Sequence, residues 1–200
     1  MTSEPKLDPA LFDLVVLGEN GEECSLGDLC ASSPLTLLVF LRHFGCIGCS
    51  QQVDVLVPIL DELHGLSVAV ILVGNGDPHA IRGFIERERL RDYPVELVTD
   101  PTLRSHALAG FERSVWSTIG PAAIWADLVA RSKGYTGSAH DGDAFQQGGV
   151  LLISESRRLV FRCASRVAYE PVSAAVILEA VLKNSSGVAL ATKNTAQSGV

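Results

Sequence analysis

Leu35–Leu41 reads LTLLVFL, seven apolar or β-tolerant residues with no polar alternation. A strand of this kind buries both faces, and such strands occupy the centre of an α/β sheet. The run is far too short for a membrane span, which needs about 18 apolar residues, and it stops at Arg42 and His43. After Gly45 the period changes. Val53, Leu56, Val57, Leu60 and Leu63 recur at helical spacing, so a helix of about four turns follows, kinked by Pro58.

Further along, Ser67–Val73 and Val95–Thr99 read as strands, separated by a helix over Pro78–Arg89. Asp100-Pro101 starts another helix. Residues 133–147 are polar and glycine-rich and read as a long surface loop. Val150–Ser154 and Leu159–Cys163 form two more strands around a turn, and Pro171 opens a final helix with Val172, Val176, Ile177 and Val181. Near the N-terminus, Leu11–Leu17 is apolar and Asn20-Gly21 signals a β-hairpin. The order predicts an α/β fold with a mixed central sheet flanked by helices. Residues 1–10 are expected as a polar arm, 11–183 as one domain and 184–200 as a disordered tail.

Charge and cysteine usage exclude several functions. A net charge of −7 repels phosphate backbones, so a nucleic-acid partner is not expected. The 47% hydrophobic content rules out a disordered chain. Met1–Asp8 lacks the apolar stretch of a secretory signal, so a cytoplasmic setting is expected. Five cysteines are too few, and odd in number, for a disulfide scaffold. In a reducing compartment a close cysteine pair points to catalysis or metal binding instead.

That pair is Cys46-Ile-Gly-Cys49, just past the buried strand and at the start of a helix. Cysteines three apart on a helix share a face and can close a disulfide. A thiol at a helix N-terminus is favoured as the thiolate, which is the nucleophile. Cys46 is therefore the expected attacking thiol and Cys49 the resolving thiol. Half of a zinc site is the competing reading, but a second C-x-x-C or a close His pair is missing, and no metal site is expected. Two inert buried thiols are the other. His43 is a candidate to hydrogen-bond the Cys46 thiolate or move a proton, or else a strand-end surface residue. Cys163 reads as a core residue, and Cys24 and Cys30 as reduced thiols. Gly74-x-Gly76 is no dinucleotide site, since His79 stands where the third glycine belongs. The arginines of Arg82–Arg91, interleaved with Glu86, Glu88 and Asp92, read as a solvated helix face.

Arg42-His-Phe-Gly-Cys46-Ile-Gly-Cys49 after an apolar strand resembles the peroxiredoxin-like proteins of the AhpC/TSA type, including the prostamide/prostaglandin F synthase relatives. Gly74-Asn-Gly-Asp-Pro78, Asp100-Pro101, the Gln147-Gly148-Gly149 stretch and Ser165-Arg166 are similar to that family in the same order. The resemblance spans roughly residues 11–183. It implies a single thioredoxin-like domain, a substrate site lined by Phe44, Gly45, Gln147, Gly148 and Gly149, and a closing arginine at Arg166, which either helps hold the thiolate or an oxygen leaving group or is a solvated strand-end charge. His43 stands where typical peroxiredoxins have a Thr or Ser three residues before the cysteine.

Together these imply a thiol oxidoreductase in which Cys46 attacks the O–O bond of a peroxide or endoperoxide and Cys49 resolves the sulfenic acid. An external thioredoxin- or glutathione-like thiol restores the pair. No bound organic cofactor is expected, and the protein acts as a monomer or homodimer. A dithiol-disulfide oxidoreductase is the alternative enzyme. A binding or redox-sensing module without turnover is the alternative outside catalysis.

Overall fold

A computed structural model describes residues 7–111, 113, 121–134, 142–143, 145–165 and 171–197, leaving aside the side chains of 121–123, 126–127 and 186–197. Seven strands form one sheet: β1 (Val15–Leu17), β2 (Glu23–Ser25), β3 (Leu35–Phe40), β4 (Val68–Gly74), β5 (Val95–Thr99), β6 (Gly149–Ser154) and β7 (Leu159–Ala164). Their order is β2-β1-β5-β4-β3-β6-β7. β3, β4 and β5 run parallel; the hairpins β1–β2 and β6–β7 join them antiparallel at either side. The sheet is therefore mixed, as its sequence order implies, and carries the expected N-terminal hairpin.

All six residues of β3 are buried, which explains why its sequence lacks polar alternation. The pleat still sorts them by face. Leu35, Leu37 and Val39 pack with Val53, Leu56, Leu60, Leu63, Ile81, Phe84, Ile177 and Val181. Leu38 and Phe40 pack on the other side with Leu11, Phe12, Leu26, Cys30 and Phe111. Helices α2 (Ile47–Leu56), α3 (Leu60–Gly65), α4 (His79–Glu88) and α7 (Ala174–Gln197) supply the first layer's contacts. The second layer is supplied by α1 (Leu26–Ala31), a 3-10 turn over Pro9–Asp13 and the region of α5 (Arg104–Leu108).

Pro58 does interrupt the helix after Cys46. It sits in a 3-10 turn, Val57–Ile59, between α2 and α3, because proline cannot donate the backbone bond that a continuous helix needs. The apolar run at Leu11–Leu17 is only partly extended. Asp8 caps Ala10 N–H at 3.0 Å and turns Pro9–Asp13 into the 3-10 helix, leaving three residues for β1. After Asp100-Pro101 the helix α5 starts at Arg104, three residues beyond the proline.

Two further differences concern helices. Pro121–Ser132 forms α6, which the reading above passes over although a proline opens it and Ile124, Trp125 and Leu128 stand at helical spacing. At the C-terminus α7 runs through residue 184 to Gln197, into the stretch expected as a tail. Ala, Leu and Lys dominate Val188–Lys193, and these favour helix over coil. Of the expected loop over 133–147, residues 135–141 and 144 lie outside the described residues.

Phe40 is the last residue of β3, level with Val73 of β4 and Gly149 of β6. The chain thus leaves the sheet at the C-terminal end of its parallel strands, where open α/β sheets place their sites.

Candidate active site

β3 delivers Leu41 and Arg42, a tight turn follows, and Cys46 becomes the N-cap of α2 with extended φ −78° and ψ 130°. The turn closes by a bond from Cys46 N–H to His43 carbonyl at 3.0 Å. Cys49 N–H returns to the Cys46 carbonyl at 3.1 Å, so the pair sits on the first helical turn.

Both sulfurs are buried, and Arg42 meets both of them. Its guanidinium Nη1 lies 3.7 Å from Cys46 Sγ, and its main-chain N–H donates to Cys49 Sγ at 3.2 Å. The guanidinium is itself held, because Nε donates to the Gln146 carbonyl at 3.0 Å. Arg42 is only 4% exposed, and a buried cation demands a compensating partner.

The two thiols are driven apart in acidity. The Cys49 S–H donates to Cys46 and is the largest influence lowering its pKa. Burial opposes this, but the Arg42 charge and the N–H groups of Cys49 and Gly48 carry it below the ordinary thiol value. Cys49 moves the other way. Burial raises it most, and donating to Cys46 raises it further, against the N–H groups of His43 and Arg42. One sulfur is prepared as thiolate and its neighbour as thiol.

Glycine makes the surrounding packing possible. A Cβ on Gly148 would stand 2.2 Å from the Phe40 carbonyl, so only glycine lets the chain pass there. A Cβ on Gly149 would meet Phe111 at 2.5 Å and the Cys163 carbonyl at 2.6 Å. A cavity of about 20 Å³, room for a water-sized molecule, lies between Cys49, Gln52, Gly148, Gly149, Ser165 and Pro171. Gln52 closes one side of it. Its amide accepts Val172 N–H at 2.8 Å and donates to the Val172 carbonyl at 3.1 Å.

The expected site residues distribute as follows. Cys46, Cys49, His43, Phe44 and Gly45 come together on the turn, with Gly148 and Gly149 beside Phe40. His43 is buried and bonds through its main chain to Cys46 and Cys49. Phe44 points into the core: its ring fills the place a Cβ on Gly74 would take, 2.3 Å away, and stacks at 5.4 Å on Phe84. Gln147 is buried, with neither end of its amide hydrogen-bonded among the described residues. Arg166 lies outside the described residues.

Three groups around the turn escape the sequence. Arg42 is the first; there it ends an apolar run and opens the Arg42–Cys49 motif, with no role of its own. Asn75 is the second, donating to the Arg42 carbonyl and accepting Asp143 N–H at 2.6 Å. The third is a latch from the end of α4, within the stretch read as a solvated face. Arg87 donates to the Phe44 carbonyl and, at 2.8 Å, to Glu88, which also accepts the Ser50 hydroxyl of α2 at 2.6 Å. An x-x-Arg-Glu pair at a helix end carries no signal of such a contact.

The remaining thiols are not drawn in. All five cysteines are free. Burial pushes Cys30 up to about 12, and burial with the charges of Glu22 and Glu96 raises Cys24. Among the described residues no group of three or more His, Cys, Asp or Glu is placed to hold a metal ion, and no helix is long and apolar enough to cross a membrane.

A family model described as AhpC/TSA antioxidant enzyme matches residues 54–166. Peroxiredoxin-like 2C of Mus musculus is 28% identical over 187 residues, covering 88% of this chain and 81% of its own. A prostamide/prostaglandin F synthase from Salmo salar is 28% identical over 144 residues, covering 68% of each chain. Among solved structures, reduced Prx3 of Vibrio vulnificus in complex with hydrogen peroxide superposes with a TM-score of 0.63 at 12% identity, covering 90% of this chain and 99% of that one. The last likeness concerns the fold, which is thioredoxin-like.

Proposed function

The chain belongs to the AhpC/TSA antioxidant enzyme family, and from that premise we propose that it reduces an O–O bond with Cys46 as nucleophile and Cys49 as resolving thiol. Thiol-dependent peroxide reduction is the general chemistry of such folds; the assignment to this pair is ours. The observation that carries it is the split between the sulfurs. Cys46 holds the Arg42 guanidinium at 3.7 Å and is lowered in pKa, while Cys49, donating to it, is raised.

In the first step the Cys46 thiolate attacks one peroxide oxygen. An S–O bond forms, the O–O bond breaks, and the leaving alkoxide or hydroxide takes a proton to give alcohol or water. Arg42 offsets the negative charge as it moves from sulfur to oxygen. Cys49 sulfur then attacks the Cys46 sulfenic acid. Its proton passes to the departing hydroxide, which leaves as water, and a Cys46–Cys49 disulfide remains. Two electrons from an external thiol, itself oxidised to a disulfide, restore both sulfurs.

Gln147, Gly148 and Gly149 form the wall against which the small substrate rests in this reading. The Gln147 amide, without a partner among the described residues, supports it, since buried amides are ordinarily hydrogen-bonded. The reductant is thioredoxin- or glutathione-like and the compartment a reducing one such as the cytoplasm. An endoperoxide is a second substrate class: attack at one oxygen leaves a Cys46 sulfenate ester in place of the sulfenic acid, and Cys49 displaces it as an alcohol to give the same disulfide; the Salmo salar relative bears the name prostamide/prostaglandin F synthase.

Stopped-flow mixing of reduced protein with hydrogen peroxide, an alkyl hydroperoxide, an endoperoxide and a model disulfide tests the proposal, with thiol loss located by mass. Oxidation at Cys46 followed by a Cys46–Cys49 link is expected with a peroxide. Reaction with the disulfide alone replaces it by the dithiol-disulfide reading, and reaction with none by a non-catalytic module.

A further inference from the structure

Leu41 and Arg42 share one peptide plane, and that plane is gripped at both ends. Its carbonyl oxygen accepts from His106 Nε2 at 2.8 Å. Its N–H, belonging to Arg42, donates to Cys49 Sγ at 3.2 Å. The plane is rigid and trans, so whatever fixes the oxygen also aims the N–H on its opposite edge.

His106 is built for the task. It is fully buried on α5, and its ring meets Phe40 edge-on at 5.1 Å and 80°. A carbonyl can only accept, so Nε2 carries the proton. Nδ1 is then the acceptor for the Ser105 hydroxyl at 3.3 Å. Ser105 N–H is bound in turn by Asp100 at 2.6 Å, and the same carboxylate takes Thr102 N–H at 2.9 Å and its hydroxyl at 2.5 Å. The Asp100-Pro101 turn therefore fixes the start of α5, and α5 presents the imidazole to Leu41. From the other side, Leu41 N–H is held by the Val73 carbonyl at 2.8 Å.

We propose that His106 is a positioning residue for the Cys46–Cys49 pair, acting through the Leu41–Arg42 peptide as the first donor in a hydrogen-bond chain that ends on the Cys46 sulfur. The chain runs from His106 Nε2–H to the Leu41 carbonyl, from Arg42 N–H to Cys49 Sγ, and from Cys49 S–H to Cys46. Each bond polarises the next. Donation to the peptide oxygen makes the N–H a stronger donor to Cys49. Cys49 S–H becomes a stronger donor in turn, and the Cys46 thiolate is favoured. Burial holds the imidazole pKa below its ordinary value, which keeps it neutral and its Nδ1 free to accept. The inference rests on the reading of Cys46 as the low-pKa nucleophile.

The test is the pH profile of Cys46 alkylation by iodoacetamide, followed by peptide mass, in wild type, His106→Leu and His106→Gln. Leucine removes the donor; glutamine offers an N–H in its place. His106→Leu is expected to move the Cys46 midpoint up by about half a pH unit, about a threefold loss of rate below the midpoint, with the high-pH plateau unchanged. His106→Gln is expected to recover most of the shift. Identical midpoints in wild type and His106→Leu, or equal shifts in both variants, would overturn the inference. A wild-type midpoint at the ordinary thiol value sinks instead the assignment of Cys46 on which it rests. Should His106→Leu fail to fold, Ser105→Ala removes only the hydroxyl donor at Nδ1, and a smaller upward shift is expected; no shift there also overturns it.

Discussion

Arg42 touches Cys46 and Cys49 with opposite ends of itself, the guanidinium 3.7 Å from one sulfur and the main-chain N–H 3.2 Å from the other. A hydrogen bond to a charged group is worth about 1.5–3 kcal/mol, or roughly ten- to a hundredfold. Arg42→Met keeps the main-chain contact and loses the guanidinium. Its second-order rate with hydrogen peroxide at pH 7 should fall by that factor, and the deficit should shrink as pH rises and the thiol ionises unaided. Arg42→Lys keeps the charge without the fork held by Gln146 and should fall between. A wild-type rate in Arg42→Met at pH 7 is the result that removes Arg42 from the chemistry.

Cys49 acts first as a donor and later as a nucleophile, and two substitutions separate the roles. Cys49→Ser retains a donor for Cys46 and should react once, leaving a sulfenic acid that dimedone traps on Cys46. Cys49→Ala removes the donor too and should raise the Cys46 midpoint as well as block resolution, because that S–H is the largest influence lowering it. Equal midpoints in the two variants would show that the Cys49 hydrogen bond does not tune Cys46.

Gly148 tests packing beneath the site. The alanine Cβ would lie 2.2 Å from the Phe40 carbonyl, and that oxygen belongs to a strand paired on both sides. Gly148→Ala should cost about 1–3 kcal/mol in chemical denaturation, as overpacking does. Gly74→Ala meets the Phe44 ring instead, a side chain two residues before Cys46. It should slow peroxide reaction more than Gly148→Ala does for the same loss of stability.

Acid should weaken the fold in two windows. Burial holds His106 below its ordinary 6.5, so the unfolded chain takes up this proton first. Its contribution is complete above about pH 6.5 and declines as pH falls toward the folded value. Asp100 acts lower. Burial raises its pKa, but bonds from Thr102 and Ser105 outweigh that and bring it below 3.8, so its contribution is lost as pH drops below that value. Urea midpoints measured at pH 7.5 and 5.5 should drop less in His106→Gln than in wild type, and an equal drop would assign the upper window to another group.

Much of this was legible in sequence because it is local. Val95–Thr99 is a strand with the bounds its apolar residues mark, and Pro58 breaks the helix where its missing N–H requires. The turn that brings Cys46 and Cys49 together was legible because it follows a buried strand within one continuous stretch. Arg42 and His106 were not. The roles proposed for them depend on partners at Gln146, 104 residues from Arg42, and at Leu41, 65 residues from His106. No period in the chain reports such pairings. Helix α6 was passed over although Ile124, Trp125 and Leu128 stand at helical spacing; the fold leaves that stripe exposed.

The separation of Arg42 from Gln146 also orders events during synthesis. The thiols, the turn and α2 leave the ribosome early, but the carbonyl that holds the guanidinium arrives 104 residues later. At about 5–20 residues per second that is a delay of roughly 5–20 s. Throughout it β3 lacks its β6 neighbour, and Cys46 has no fixed cation beside it. On the proposed reading, the Arg42 charge joins Cys49 beside Cys46 only after the segment carrying Gln146 has docked, so the last influence on the thiol is also the last to be synthesised.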